Sequence, residues 1–343
     1  MTTKKSIDHD PPDFTRKVWI AGGIISFLIV LLLLLSATFN VLLLVLAGIL
    51  IAVFFRGLSG RIQRITHWKD GICLAISVTG TLILVILLFW LIGSKVASQA
   101  TELADALPAT VENAKNQLNQ SSFGKKLVEK ISSPGTQKQF QSVAQTFFKS
   151  TFGILGDIYV ILFIGIFFTV SPQLYQQGII KLVPPGGREQ SGEILKKIGT
   201  NLEKWLKGKL FSMLVVFILT SIGLLIIGMP MWLVLAIIAA ILNFIPNFGP
   251  LIALIPAVLV AMMQSPSTAM WVAGLYILVQ VAESNFITPM VQQKLNSIPP
   301  AMIIIAQLLI APLTGGWGLV LATPLMVILF VLIKELYIKK MEA

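Results

Sequence analysis

Between Lys209 and Lys294 the chain carries a single charged side chain, Glu283, inside the run YILVQVAESNFITP from Tyr276 to Pro289. An ionised carboxylate left unpaired in such apolar surroundings costs several kcal/mol, so this residue needs a partner, a proton or a cation. Its chemistry would be to bind and release a proton, or to hold a small cation. Gln280, three residues earlier, lies on the same face of a regular helix, and Asn285 lies two residues later. A second polar group sits in the run Asn243–Pro250, NFIPNFGP. Asn243 and Asn247 supply amides there, while Pro246 and Pro250, with Gly249, interrupt the helix. Prolines remove backbone donors and leave carbonyls free to coordinate a cation or a polar solute. The bland alternative is a kink filled by neighbouring helices. Asp157 is a secondary candidate, more simply read as an interfacial carboxylate near a span end. Gly315, Thr314 and Gln307 mark a second interrupted apolar stretch.

Other chemistries find no support. GxxxxGK[ST], HExxH and GxSxG are absent, which argues against an ATP-driven pump or a His- or Ser-based hydrolase within this chain. Both histidines, His9 and His67, fall in polar segments, and Cys73 stands alone. No metal site, no cofactor and no enzymatic activity are expected.

The elements that must position Glu283 are membrane spans. Only 12% of the residues are charged, against about 25% in soluble domains, and several apolar runs reach the ~17–25 residues that a spanning helix needs. The net charge of +11 sits at span ends and in polar loops, which suits anionic headgroups and not nucleic acid. Residues 1–17 form a polar tail. Residues 18–93 hold three spans, 18–36, 39–55 and 72–92, the first uncleaved and turning sharply at Ala37-Thr38 into the second. Four bases follow in the loop, Arg56, Arg61, Arg64 and Lys69, so tail and loop are expected in the cytoplasm. Residues 94–150 are too polar for a bilayer. From Val96 through Leu103 and Leu107 to Leu118 they carry one apolar helical stripe, with Pro108 a kink. They read as an extracytoplasmic helical insert, either a lid on the chain's own membrane domain or a surface that meets other subunits. Residues 151–171 give a fourth span and 172–209 an amphipathic helix at the cytoplasmic headgroups.

Residues 210–337 form a C-terminal transport unit in which a pattern repeats: a span, then an apolar stretch of more than thirty residues broken in the middle, twice over. Each broken stretch is either one kinked span or a hairpin of two half-helices. The short arms, 251–263 and 301–311, fall below spanning length. The fold class is therefore all-α and polytopic, with about six full spans plus two broken or re-entrant hairpins, or else eight spans. If both are hairpins, the units 210–263 and 270–333 have opposite orientations, an inverted repeat of the kind common in secondary transporters. Residues 338–343 form a cytoplasmic tail.

In these residues the chain resembles the AI-2E (autoinducer-2 exporter) family, also described as PerM-like permeases. The similar parts are Gly228-Met229-Pro230, the IPxxGP run within Leu242–Pro250, the QxxExN run from Gln280 to Asn285, and Gly315–Gly318 with Ala322-Thr323-Pro324. Motif resemblance covers about residues 205–333. Asn247 stands where an aromatic residue is more usual, and Ala311-Pro312 replace a glycine-containing stretch. The resemblance implies export of autoinducer-2, or exchange of sodium or lithium for protons, in the bacterial inner membrane, and a homo-oligomer, reportedly a pentamer.

Three functions follow as expectations. The first is a secondary transporter of a small polar solute, coupled to or gated by protons or cations through Glu283. The second is a Na⁺(Li⁺)/H⁺ antiporter. The third, from another class, is a non-transporting oligomeric membrane scaffold built on the insert.

Overall fold

A computed structural model describes residues 12–118, 156–287 and 299–341. Every element among them is helical. Five helices are long and apolar enough to cross a membrane, or six if one bent pair is a single span. The chain is an all-α, multi-pass membrane protein.

The N-terminal runs correct one expectation. Helix α1 (Pro12–Thr66) continues for 55 residues through Ala37-Thr38, about 80 Å of helix at 1.5 Å per residue. The expected hairpin is absent. Ala37 and Thr38 interrupt hydropathy but contain neither the glycine nor the proline that stops a helix. The tail and the 56–69 loop therefore lie at opposite ends of one helix, which removes the ground for placing both in the cytoplasm. Helix α2 (Asp70–Leu118) likewise runs unbroken from the expected third span into the insert, through position 108. The rest of the insert, to residue 150, and the first residues of the expected fourth span, 151–155, lie outside the described residues.

Helix α3 (Gly156–Val170) meets α4 (Pro172–Lys181) at an angle of 87°, with Pro172 in the first turn of the second helix. Arg56 fixes this corner. Its guanidinium donates to the carbonyls of Thr169 at 2.7 Å and Val170 at 2.9 Å, and to Asp70 at 2.7 Å. One side chain thus caps α3 and ties it to α1 and to the start of α2.

Helix α5 (Arg188–Ile227) joins the expected amphipathic helix and the fifth span into one 40-residue rod. It ends at Gly228, whose φ of +76° needs a glycine. Helices α6 (Trp232–Leu242) and α7 (Phe248–Gln264) follow, separated by the break at 243–247. Gln264 donates to the carbonyl of Gly228 at 3.2 Å, so the stretch ends where it began: it is a hairpin. At its tip the arms approach so closely that a Cβ on Gly249 would lie 1.8 Å from the Leu242 carbonyl oxygen. Helix α8 (Pro266–Ala282) continues as one π turn, Glu283–Ile287. Helices α9 (Pro300–Thr314) and α10 (Gly316–Ile333) form the second hairpin around Gly315, which has φ +63° and ψ −138°.

Two large parts of the apolar core pack on α5, and a small third one, Ala306 with Ala322 and Met326, lies between α9 and α10. The first half of α5, through Leu202, Trp205 and Leu206, packs with Leu43–Leu50 of α1 and with Leu321 and Val327 of α10. Its second half, through Val216 and Leu224, packs with the first hairpin and with Val272, Tyr276 and Val279 of α8. Ser212 faces Glu283 and Gly223 faces Leu275, so α5 and α8 are antiparallel. That is the relation an inverted pair of units requires of its lead helices.

Candidate functional site

Glu283 is buried, 7% exposed, at the first position of the π turn. The extra residue per turn buries Glu283 and Ile287 together and leaves Ser284, Asn285 and Phe286 outward. Ser212 of α5 donates to Glu283 Oε1 at 2.7 Å. Asn243, 2% exposed at the end of α6, donates through Nδ2 to Ser212 Oγ at 2.9 Å. Lys209, one helical turn before Ser212, interacts electrostatically with the same carboxylate. A buried chain therefore links the lone acid to the first break, at the level of α5 where the two large parts of the core meet. A carboxylate and a hydroxyl oxygen meet there, with the Asn243 amide nitrogen donating to the hydroxyl, an arrangement that suits a proton or a small cation on the carboxylate.

The other expected residues divide. Pro246 does present its carbonyl, but to protein: Gln307 of α9, fully buried, donates to it at 3.1 Å and to the Leu319 carbonyl at 3.5 Å. The first break is thereby tied between the arms of the second hairpin. Gln307 Oε1 is buried and without a hydrogen-bond partner among the described residues, as is Thr323 Oγ1 on α10. Gly249 allows the arms to close, and Pro250 lies in the first turn of α7. Asn247 is exposed, with φ +66°, and serves as the corner before α7. Gly315 forms the tip of the second hairpin by its backbone conformation alone. Asp157 accepts from Trp317 Nε1 at 2.6 Å, which anchors that tip to α3.

Gln280 and Asn285 do not join Glu283. Gln280 donates to Ser284 at 3.1 Å and Asn285 to the Val281 carbonyl at 2.9 Å, both on the exposed side. The expected shared face of Gln280 and Glu283 does not form: the buried stripe runs Val272, Tyr276, Val279, Glu283, and Gln280 sits at its outer edge. Sequence reasoning missed Ser212 and Lys209 as partners. Lys209 had a signal, as the last base before the long uncharged run; a serine in an apolar span has none.

The matches to known proteins agree with this architecture. The family model for AI-2E family transporters matches residues 25–338. "Putative transport protein YueF" of Bacillus subtilis (strain 168) is 30% identical over 51% of this chain and 48% of its own length. "Putative permease PerM" of Escherichia coli (strain K12) is 26% identical over 54% of this chain and 53% of its own. The chain spans about half the length of the curated relatives it matches. With its match covering nearly all of the sequence, the chain belongs to the AI-2E transporter family.

Proposed function

We propose that this permease exports a small polar solute such as autoinducer-2 across the bacterial inner membrane, coupled to protons or cations at Glu283. The observation that carries the reading is the buried chain Glu283–Ser212–Asn243, which joins the one charged residue between Lys209 and Lys294 to the first broken hairpin. Protonation of Glu283, or its occupation by a cation, changes what Ser212 must satisfy. That change reaches Asn243 through one shared hydroxyl and biases the hairpin's position against α1 and α5. Movement of the hairpins against this scaffold supplies alternating access, with the Arg56–Arg64 end of α1 and the Lys196–Lys209 part of α5 facing the cytoplasm. Autoinducer-2 efflux from proteoliposomes at several pH values tests the reading. Glu283→Gln should lose the pH dependence; a variant that transports as wild type at every pH removes Glu283 from the mechanism.

The Glu283 carboxylate also favours a second reading, Na⁺(Li⁺)/H⁺ antiport. Dissipation of an imposed pH gradient on adding Na⁺ or Li⁺, lost in Glu283→Gln, would select it. Assembly as a homo-oligomer, through the insert that begins in α2, is part of the same proposal and is checked by the mass of the detergent-purified protein.

A further inference from the structure

A groove lies between the last turns of α1 and the first half of α5, far from Glu283 in role and built from different residues. Its polar part is a cavity of about 470 Å³ whose rim carries Arg61, Arg64, Lys196 and Lys207. The acid beside them, Glu203, is already paired with Lys207. Among the described residues, Arg61, Arg64 and Lys196 have no ion-pair partner. Open space borders Gly60 and Gly199, where a Cβ would meet nothing within 4 Å, whereas one on Gly57 would meet Glu203. At Arg61 and Lys207 the cavity passes into a second one of about 360 Å³, walled by Phe54, Leu58, Leu210 and Phe211. Phe211 is 49% exposed and opens the apolar part sideways.

We propose that this groove binds an anionic phospholipid, with the phosphate among Arg61, Arg64 and Lys196 and an acyl chain along Phe54, Leu58 and Phe211. The charge arrangement carries the choice of occupant. Uncompensated guanidinium and ammonium groups at the head of an apolar slot match a phosphodiester attached to a hydrocarbon chain. A free phosphate would use only the polar half, and a zwitterionic lipid would bring its own cation against four bases. The inference is independent of the transported solute and needs only that α1 and α5 lie in a bilayer. A bound lipid there would clamp α1 to α5, the helix that carries Ser212.

Native mass spectrometry of the full chain released from detergent micelles tests this, with phosphatidylglycerol, phosphatidylcholine and soluble glycerol phosphate as probes. Phosphatidylglycerol should bind at least about tenfold tighter than phosphatidylcholine, and glycerol phosphate should not compete at equal concentration. The triple variant R61Q/R64Q/K196Q should lose about a hundredfold, at roughly fivefold per base removed. Gly60→Phe, which keeps every charge but fills the open space, should lose binding as well. K181Q/K204Q, which removes two bases outside the groove, should bind as wild type. Unchanged melting temperatures in phosphatidylcholine micelles establish that the variants are folded. Equal binding of the two lipids, full competition by glycerol phosphate, wild-type binding by Gly60→Phe, or an equal loss in K181Q/K204Q would each overturn the proposal.

Discussion

The two hairpins solve one problem, reversing an apolar chain, by different means. The first reverses over five residues, Asn243–Asn247, and spends a buried amide, a left-handed Asn247 and a glycine with no room for a side chain. The second reverses at Gly315 alone, whose φ/ψ only glycine adopts easily but around which there is open space. The first tip is wired to Glu283 through Ser212; the second is pinned to α3 by Trp317 and Asp157 and touches the first through Gln307. One hairpin thus carries the polar chemistry, while the other buttresses it. A longer, polar break supplies groups for a site, and a minimal break supplies shape.

The largest expected effects separate the hairpins by the kind of constraint at each tip. Gly249→Ala drives a methyl into the Leu242 carbonyl and should destabilise by about 3 kcal/mol or more, read as loss of the monodisperse peak in detergent. Gly315→Ala meets no atom and should cost about 1–2 kcal/mol through its backbone angles alone, read as a lowered melting temperature with the peak retained. If the two behave alike, the distinction between a packed tip and a strained tip fails.

Next comes the wiring. Ser212→Ala removes the hydroxyl that Glu283 and Asn243 share, for about 1–3 kcal/mol. Gln307→Leu removes the tie between the hairpins but leaves Glu283 untouched, for about 1 kcal/mol. Ser212→Ala should also abolish pH-dependent transport, whereas Gln307→Leu should slow it without changing its pH profile. The smallest effects belong to Gln280→Ala and Asn285→Ala. These change stability by no more than about 0.5 kcal/mol because both side chains face outward; a large loss of transport in either would place them back in the pathway.

The sequence made the breaks legible because proline and glycine cluster there, at Pro246, Gly249 and Pro250 and at Gly315-Gly316, whereas the single prolines Pro256, Pro312 and Pro324 stay inside helices. Glu283 was legible for the opposite reason, as the one charge in a long uncharged stretch. Its partners were not, because Ser212 lies 71 residues away and looks like any small residue in a span. Gln280 falls at the edge of the buried stripe Val272, Tyr276, Val279 and Glu283 and so turns outward, while Asn285 lies within the π turn, where the 3.6-residue period no longer holds. The N-terminal hairpin was misjudged because hydropathy marks where a chain becomes polar, and Ala37-Thr38 show that a helix need not stop there.

The central claim is that Glu283 works with the first break and not alone. The direct measurement is autoinducer-2 efflux from proteoliposomes across pH for wild type, Glu283→Gln, Asn243→Ala and the double variant. A flat profile in Glu283→Gln, a displaced profile in Asn243→Ala, and a double variant no worse than Glu283→Gln are predicted, because both act through one network. Independent, multiplicative losses from the two substitutions, or a wild-type profile in Asn243→Ala, would contradict it.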